Sequence, residues 1–148
     1  PDKIHLPVDL AANIEDNRVD LLIDDLPVEA PLIDLGIQST IAVSTAIKNA
    51  GTIILNGPAG VFELPDFSLG TIEILNACAE SDAYAVMGGG HTATLVTKYG
   101  LASKMGHVST GGGASLDYIA GRILPGIASL EASAKQFAVE ITKPVDPQ

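Results

Sequence analysis

Short apolar runs alternate along this chain with segments of helical periodicity, and three of those runs lead directly into glycine-rich loops. That alternation constrains the fold more than any other feature. Candidate strands are residues 4–6, 19–23, 52–55, 83–87 and 107–109. Candidate helices cover residues 39–49, 69–80, 92–99, 114–120 and 127–141. Over 69–80, Leu69, Ile72, Leu75 and Ala79 form one stripe, Glu73, Asn76 and Glu80 face the other way, and Ser68 stands at the N-cap position. In the last helix Ile127, Leu130, Ala134, Phe137 and Ile141 share a side, and Pro144 ends it. Residues 9–18 and 24–36 read as polar, Pro-containing loops, and the tail 143–148 reads as loose.

Strands separated by helices of about ten residues predict an α/β fold. The expected architecture has three layers: a mostly parallel, Rossmann-like sheet with helices on both faces. The near-continuous apolar character of the strands suits a sheet covered on both sides. No repeat and no internal domain boundary is visible.

Composition removes several function classes. An apolar fraction of 47% against 18% charged residues excludes a disordered chain. Eight Lys and Arg against 18 Asp and Glu give a net charge of −10, which argues against a nucleic-acid groove or a polybasic membrane patch. No apolar run approaches the roughly 18 residues of a membrane span, and no signal peptide is read at the start. The single Cys78 can form neither an internal disulfide nor a cysteine cage, which suits a reducing, cytoplasmic setting. It falls beside the apolar stripe of its helix and reads as a small buried hydrophobe. The chain opens at Pro1 and leads straight into an apolar segment, which points to residues upstream.

In open parallel sheets ligands bind outside the carboxyl ends of the strands. Three loops occupy that position here: residues 56–63 (NGPAGVFE), 88–92 (GGGHT) and 110–115 (TGGGAS). Parallel strands in one sheet would place all three on one edge. Each Gly triplet stands between a strand and a helix, where backbone N–H groups can approach an anion and the helix N-terminus favours negative charge. Neither triplet matches the dinucleotide or Walker-type spacing. One triplet alone reads as a tight turn, whereas two in equivalent positions point to a polyphosphate. The 56–63 loop has the composition of a turn, yet Val61 and Phe62 could line an apolar slot and Glu63 could accept from ribose hydroxyls. From spacing alone Glu63 reads as a surface carboxylate.

Other chemistry is missing: no Ser/His/Asp or Cys/His set and no zinc or calcium motif is recognisable. His5 and His107, each at a candidate strand, read as core histidines. Arg18 and Arg122 look isolated, which leaves no Arg clamp, and Lys98 and Lys104 read as solvent-facing.

In order and spacing the three loops resemble phosphoglycerate kinase, through NGPAGVFE (56–63), MGGGHTATL (87–95) and HVSTGGGASL (107–116). IHLPVD (4–9), LIDLG (32–36) and LPGIASL (124–130) are similar to the family too, so the likeness covers nearly the whole chain. The resemblance implies a transferase of glycolysis and gluconeogenesis that moves a phosphoryl group between 1,3-bisphosphoglycerate and ADP. It also implies that residues 1–148 are the C-terminal portion of a nucleotide-binding domain, an incomplete lobe. The phosphoglycerate-binding N-terminal lobe and the lysine-bearing strand would then lie upstream. On that basis these residues alone are expected to show no kinase turnover, and an uncovered sheet edge is expected to favour self-association.

By the same resemblance, Glu63 would bind the ribose, and Ile33, Asn56, Pro58 and Val61 would shape the adenosine pocket. Gly89, Gly90, His91 and Thr92 would meet the phosphates of ATP or ADP. Gly111, Gly112 and Gly113 would stabilise the transferring group through backbone N–H donors. Many members carry Asp where this chain has His91. A histidine suits a phosphate better than Mg²⁺, so the metal is expected to arrive with the nucleotide and no side chain is assigned to it. The His form resembles an archaeal-type branch. The other class that fits the loops is a stand-alone, non-catalytic nucleotide-binding or interaction module.

Overall fold

The computed structural model describes residues 3–137, so Ile141, Pro144 and the tail 143–148 lie outside the described residues. The chain divides into two compact units, the first ending at Gly112 and the second beginning at Gly113.

The first unit holds two three-stranded sheets. β4 (Thr52–Asn56), β5 (Tyr84–Gly88) and β6 (His107–Ser109) pair in parallel in that order, as the sequence predicts. Ile53 stands opposite Ala85 and Leu55 opposite Met87. Those four side chains share one face of the pleat. They pack under α1 (Ile37–Lys48), α2 (Leu69–Glu80) and α3 (Gly90–Lys98), with Leu75, Cys78, Leu95, Val96 and Met105 closing the core. On the opposite face Ile54 and Tyr84 are exposed. The helices stand within two residues of the predicted bounds. The buried stripe of α2 is Thr71, Ile74, Leu75, Ala77 and Cys78, rotated from the predicted one: of the four expected residues only Leu75 is fully covered. Ser68 stands at the N-cap position but does not cap, because its hydroxyl donates backwards to the Pro65 carbonyl at 2.7 Å.

Apart from residues 19–22, part of the strand expected over 19–23, the second sheet occupies residues that read as loops. β1 (Asp9–Ile14), β2 (Asn17–Leu22) and β3 (Leu32–Leu35) run antiparallel in the order β2-β1-β3. The β1–β2 turn places Glu15 and Asp16 at φ 51° and 61°, values for which hairpins usually recruit Gly or Asn. Without those residues the hairpin signal was hidden. Residues 4–6 form no strand, and Ile4 and Leu6 are exposed. His5 is exposed there, and His107, although on β6, is exposed too, so neither is a core histidine. A strand pattern places a residue on a face but does not say whether that face is covered.

In the second unit α4 (Gly112–Ile119) leads through a turn to α5 (Pro125–Gln136). Arg122 closes the turn: its N–H reaches the Asp117 carbonyl at 2.9 Å and its guanidinium reaches the Asp117 carboxylate at 2.8 Å. Ile127, Leu130 and Phe137 share a side as predicted, yet they are 52%, 72% and 68% exposed, so that stripe is uncovered among the described residues.

Candidate functional site

At the carboxyl edge of β4-β5-β6 the chain brings its glycine-rich loops into direct contact. Gly89 stands at φ +98° before the first turn of α3, a conformation that L-residues with side chains rarely adopt. Its N–H donates to the Ser109 carbonyl at 3.0 Å, which ties the second loop to the end of β6. The N–H of Gly57, itself at φ +97°, donates to Thr92 Oγ1 at 3.1 Å and ties the first loop to the second. Asn56 Oδ1 lies between the loops: a Cβ at Gly89 would stand 3.2 Å from it, and one at Gly112 only 2.9 Å. The Phe62 and His91 rings meet at 5.8 Å between centroids, tilted by 59°.

Thus Asn56, Gly89, Thr92 and Gly112 converge, with Gly111 held by its N–H to Ser109 Oγ at 3.1 Å. A Cβ at Gly90 would meet nothing within 4 Å, so the edge is open there. His91 and Glu63 are exposed, whereas Thr92 is 2% exposed and its hydroxyl braces Gly57. Gly113 opens the second unit. Backbone N–H groups and an imidazole match phosphate oxygens and match poorly a cation that prefers oxygen ligands. Among the described residues no group of three or more His, Cys, Asp or Glu could hold a metal.

The first loop also walls a cleft of about 310 Å³, bounded on the other side by Leu10 and by β3. This cleft brings together Ile33, Pro58 and Val61, three residues expected at the adenosine pocket. The Val61 N–H donates to the Ile33 carbonyl at 2.9 Å across its floor. Thr71 Oγ1, one turn into α2, accepts the N–H groups of Ala59 and Gly60 at 3.1 Å each. A larger cavity of about 570 Å³ lies between residues 5–8 and α1, lined mainly by Ala42, Val43, Ala46 and Ile47. Being apolar and remote from the glycine loops, it does not suit a phosphate.

The helix N-termini differ in their partners. Asp9 on β1 accepts the N–H groups of Gln38 and Ser39, at 2.9 and 2.7 Å, and so caps α1. Burial penalises the Asp9 carboxylate, but those bonds and one from the Ser39 hydroxyl outweigh it and hold its pKa below the ordinary value. Asp34 on β3 accepts the Gly70 N–H at 3.0 Å in the first turn of α2. Arg18 neutralises Asp34 at 2.7 Å. Burial opposes the Arg18 charge, and its bonds to Asp34 and Asp20 more than restore it, raising the pKa. Arg18 is therefore the hub of a network rather than an isolated cation. Sequence spacing held no sign of that, since its partners lie 16 and more residues away, except Asp20. By contrast, α3, which like α1 starts at a glycine and has no acidic residue in its first turn, has no carboxylate of the described residues bonded to its start.

An open parallel sheet with clustered glycine loops and an uncapped helix start at its carboxyl edge defines the class: an α/β domain of the kind that binds ligands at that edge. The family model for phosphoglycerate kinase matches residues 1–122. Phosphoglycerate kinase from Methanocorpusculum labreanum is 44% identical over 137 residues, covering 93% of this chain and 34% of the relative. The enzyme from Methanosarcina mazei is 43% identical, covering 92% and 33%. The crystal structure of phosphoglycerate kinase from Pyrococcus horikoshii superposes with a TM-score of 0.73 at 35% identity, covering 87% of this chain and 33% of that one. The structure from Coxiella burnetii also scores 0.73, at 36% identity over 80% and 32%. This chain belongs to the phosphoglycerate kinase family, and it spans about a third of the length of the relatives it matches.

Proposed function

We propose that this chain supplies the adenine-nucleotide half-site of a phosphoglycerate kinase, a cytoplasmic enzyme that reversibly transfers phosphate between 1,3-bisphosphoglycerate and ADP. In this reading residues 1–148 are the C-terminal portion of the nucleotide-binding lobe, and phosphoglycerate binds to an N-terminal lobe outside them. The observation that carries the reading is the contrast among helix starts. α1 and α2 begin against the protein's own carboxylates, whereas no carboxylate of the described residues bonds to the first turn of α3, whose loop is tied to the one that walls a cleft of about 310 Å³. An anion is favoured only where no internal carboxylate has taken the place.

The assignments extend that reading with the roles the family resemblance implies. Ile33, Pro58 and Val61 enclose the adenosine, Asn56 sets the spacing of the glycine loops, and Glu63 accepts from the ribose hydroxyls. Gly90 and His91 donate to the nucleotide phosphates, with Gly89, whose N–H is held by the Ser109 carbonyl, and Thr92 keeping the loop in place against them. Gly112 and Gly113 offer N–H groups to the transferring phosphoryl group, with Gly111 anchoring the loop through its N–H to Ser109 Oγ; the transfer depends on positioning and charge stabilisation. Mg²⁺ arrives bound to the nucleotide. No described helix is long and apolar enough to cross a membrane, in keeping with a cytoplasmic enzyme. Self-association through an uncovered sheet edge is part of the same proposal.

Calorimetric titration with MgADP tests the reading. Binding in the micromolar to millimolar range is expected, weakened by Gly89→Ala, which places a side chain at positive φ against Asn56, and by Glu63→Gln. Loss of affinity in neither variant would reject the loop assignments.

A further inference from the structure

Against Asp34 and Leu35 of the proposed nucleoside cleft lies the most connected polar group of the described residues. The Arg18 side chain, 14% exposed, reaches three elements at once. Nη1 donates to Asp34 Oδ2 at 2.7 Å and to the Asp66 carbonyl at 2.9 Å. Nη2 donates to the Leu35 carbonyl at 2.8 Å and to Asp20 at 3.0 Å. Asp34, whose side chain is fully buried, passes this constraint forward. It accepts the Gly70 N–H at 3.0 Å, and its carboxylate fills the space that a Cβ on Gly60 would need. Gly60 is part of the far wall of the cleft, so the separation between β3 and the 58–61 loop is set by the carboxylate between them. Arg18 determines where that carboxylate sits.

We propose that Arg18, acting through Asp34 and the Asp66 carbonyl, is a positioning residue for the nucleoside cleft, holding β3 and the Pro58–Val61 loop at the spacing an adenine nucleoside requires. The proposal rests on the nucleotide half-site reading above. A planar guanidinium is needed because its forked donors span two carboxylates and two carbonyls in fixed directions, which a lysine ammonium cannot do. The glycine loops at α3 share no hydrogen bond with Arg18, so phosphate binding there is independent of it.

The test compares wild type with Arg18→Lys, which keeps the charge opposite Asp34, using MgADP and tripolyphosphate as separate probes and the melting temperature as a control. The expected result for Arg18→Lys is an ADP affinity lower by about tenfold, with tripolyphosphate affinity unchanged and the melting temperature within about 5 °C of wild type. Unchanged ADP affinity in Arg18→Lys overturns the proposal alone. So does a parallel loss of both ligands, or a larger drop in melting temperature, since either makes Arg18 a general support of the fold. A wild-type chain that binds no MgADP overturns the half-site reading, and the role of Arg18 with it. If only tripolyphosphate fails to bind wild type, the phosphate-loop assignment falls, and ADP affinity at constant melting temperature decides the case for Arg18.

Discussion

The two sheets of the first unit are held together by different physics. The parallel sheet covers a core of Ile53, Leu75, Ala85, Met87, Leu95 and Val96, with the lone thiol of Cys78 among them. The antiparallel sheet contributes buried charge: Asp9 and Asp34 are each 3% exposed and Arg18 is bonded on every side. Apolar burial is strong but undirected, so it gives stability without setting a distance. Hydrogen-bonded charges are costly to bury and directional, and here they fix where two helices begin and how wide the cleft stands. The apolar half thus builds the platform, and the charged half adjusts its edge.

Breaking the charged half should cost the most. Asp34→Ala leaves Arg18 without its buried partner and the Gly70 N–H without an acceptor. A loss of about 3–5 kcal/mol is expected, measured by denaturant unfolding, together with weaker MgADP binding. Leu75→Ala in the apolar half should cost about 2–5 kcal/mol as a cavity. It should leave ADP affinity unchanged where the protein is folded. Equal effects of the two variants on ADP affinity would erase the distinction between the sheets.

Asp9→Asn is milder, at about 0.5–2 kcal/mol for a weakened cap. The folded pKa of Asp9 lies below its unfolded value of 3.8, so its contribution is complete above that value and is lost as pH falls through the folded pKa. The stability difference between wild type and Asp9→Asn should therefore be constant from pH 7 down to about 5 and shrink in stronger acid. A difference that grows on acidification would contradict the cap. Least affected should be Cys78, whose thiol burial pushes up to about 11. At pH 8 the folded protein should resist alkylation, and rapid labelling in native buffer would mean that the apolar core opens easily.

The parallel half was legible because its signals are local. β4 and β5 carry continuous apolar runs, α2 shows its period within twelve residues, and Gly triplets mark the carboxyl edge of the sheet. The antiparallel half was legible only at residues 19–22 of β2, and the rest was not, for reasons its residues show. β1, Asp-Leu-Ala-Ala-Asn-Ile, has no clean alternation because strands flank it on both sides, and it buries an aspartate. Its turn uses Glu15 and Asp16 where Gly or Asn would have announced a hairpin. Ser68 looked like the cap of α2, but the carboxylate serving that helix comes from Asp34, 36 residues before Gly70. For the site, the glycine loops and the Ile33, Pro58 and Val61 wall could be named from sequence, while Arg18 and Asp34 could not.

The sequence by itself determined the α/β class, the parallel strands and the three loops at their carboxyl ends, because periodicity and glycine act over a few residues. Only the tertiary structure decided which helix starts are capped by the protein's own carboxylates and which is not. It also decided which residue holds the cleft open. Those outcomes depend on charges brought together from distant positions, and the energy of a buried ion pair exists only after the chain has folded around it.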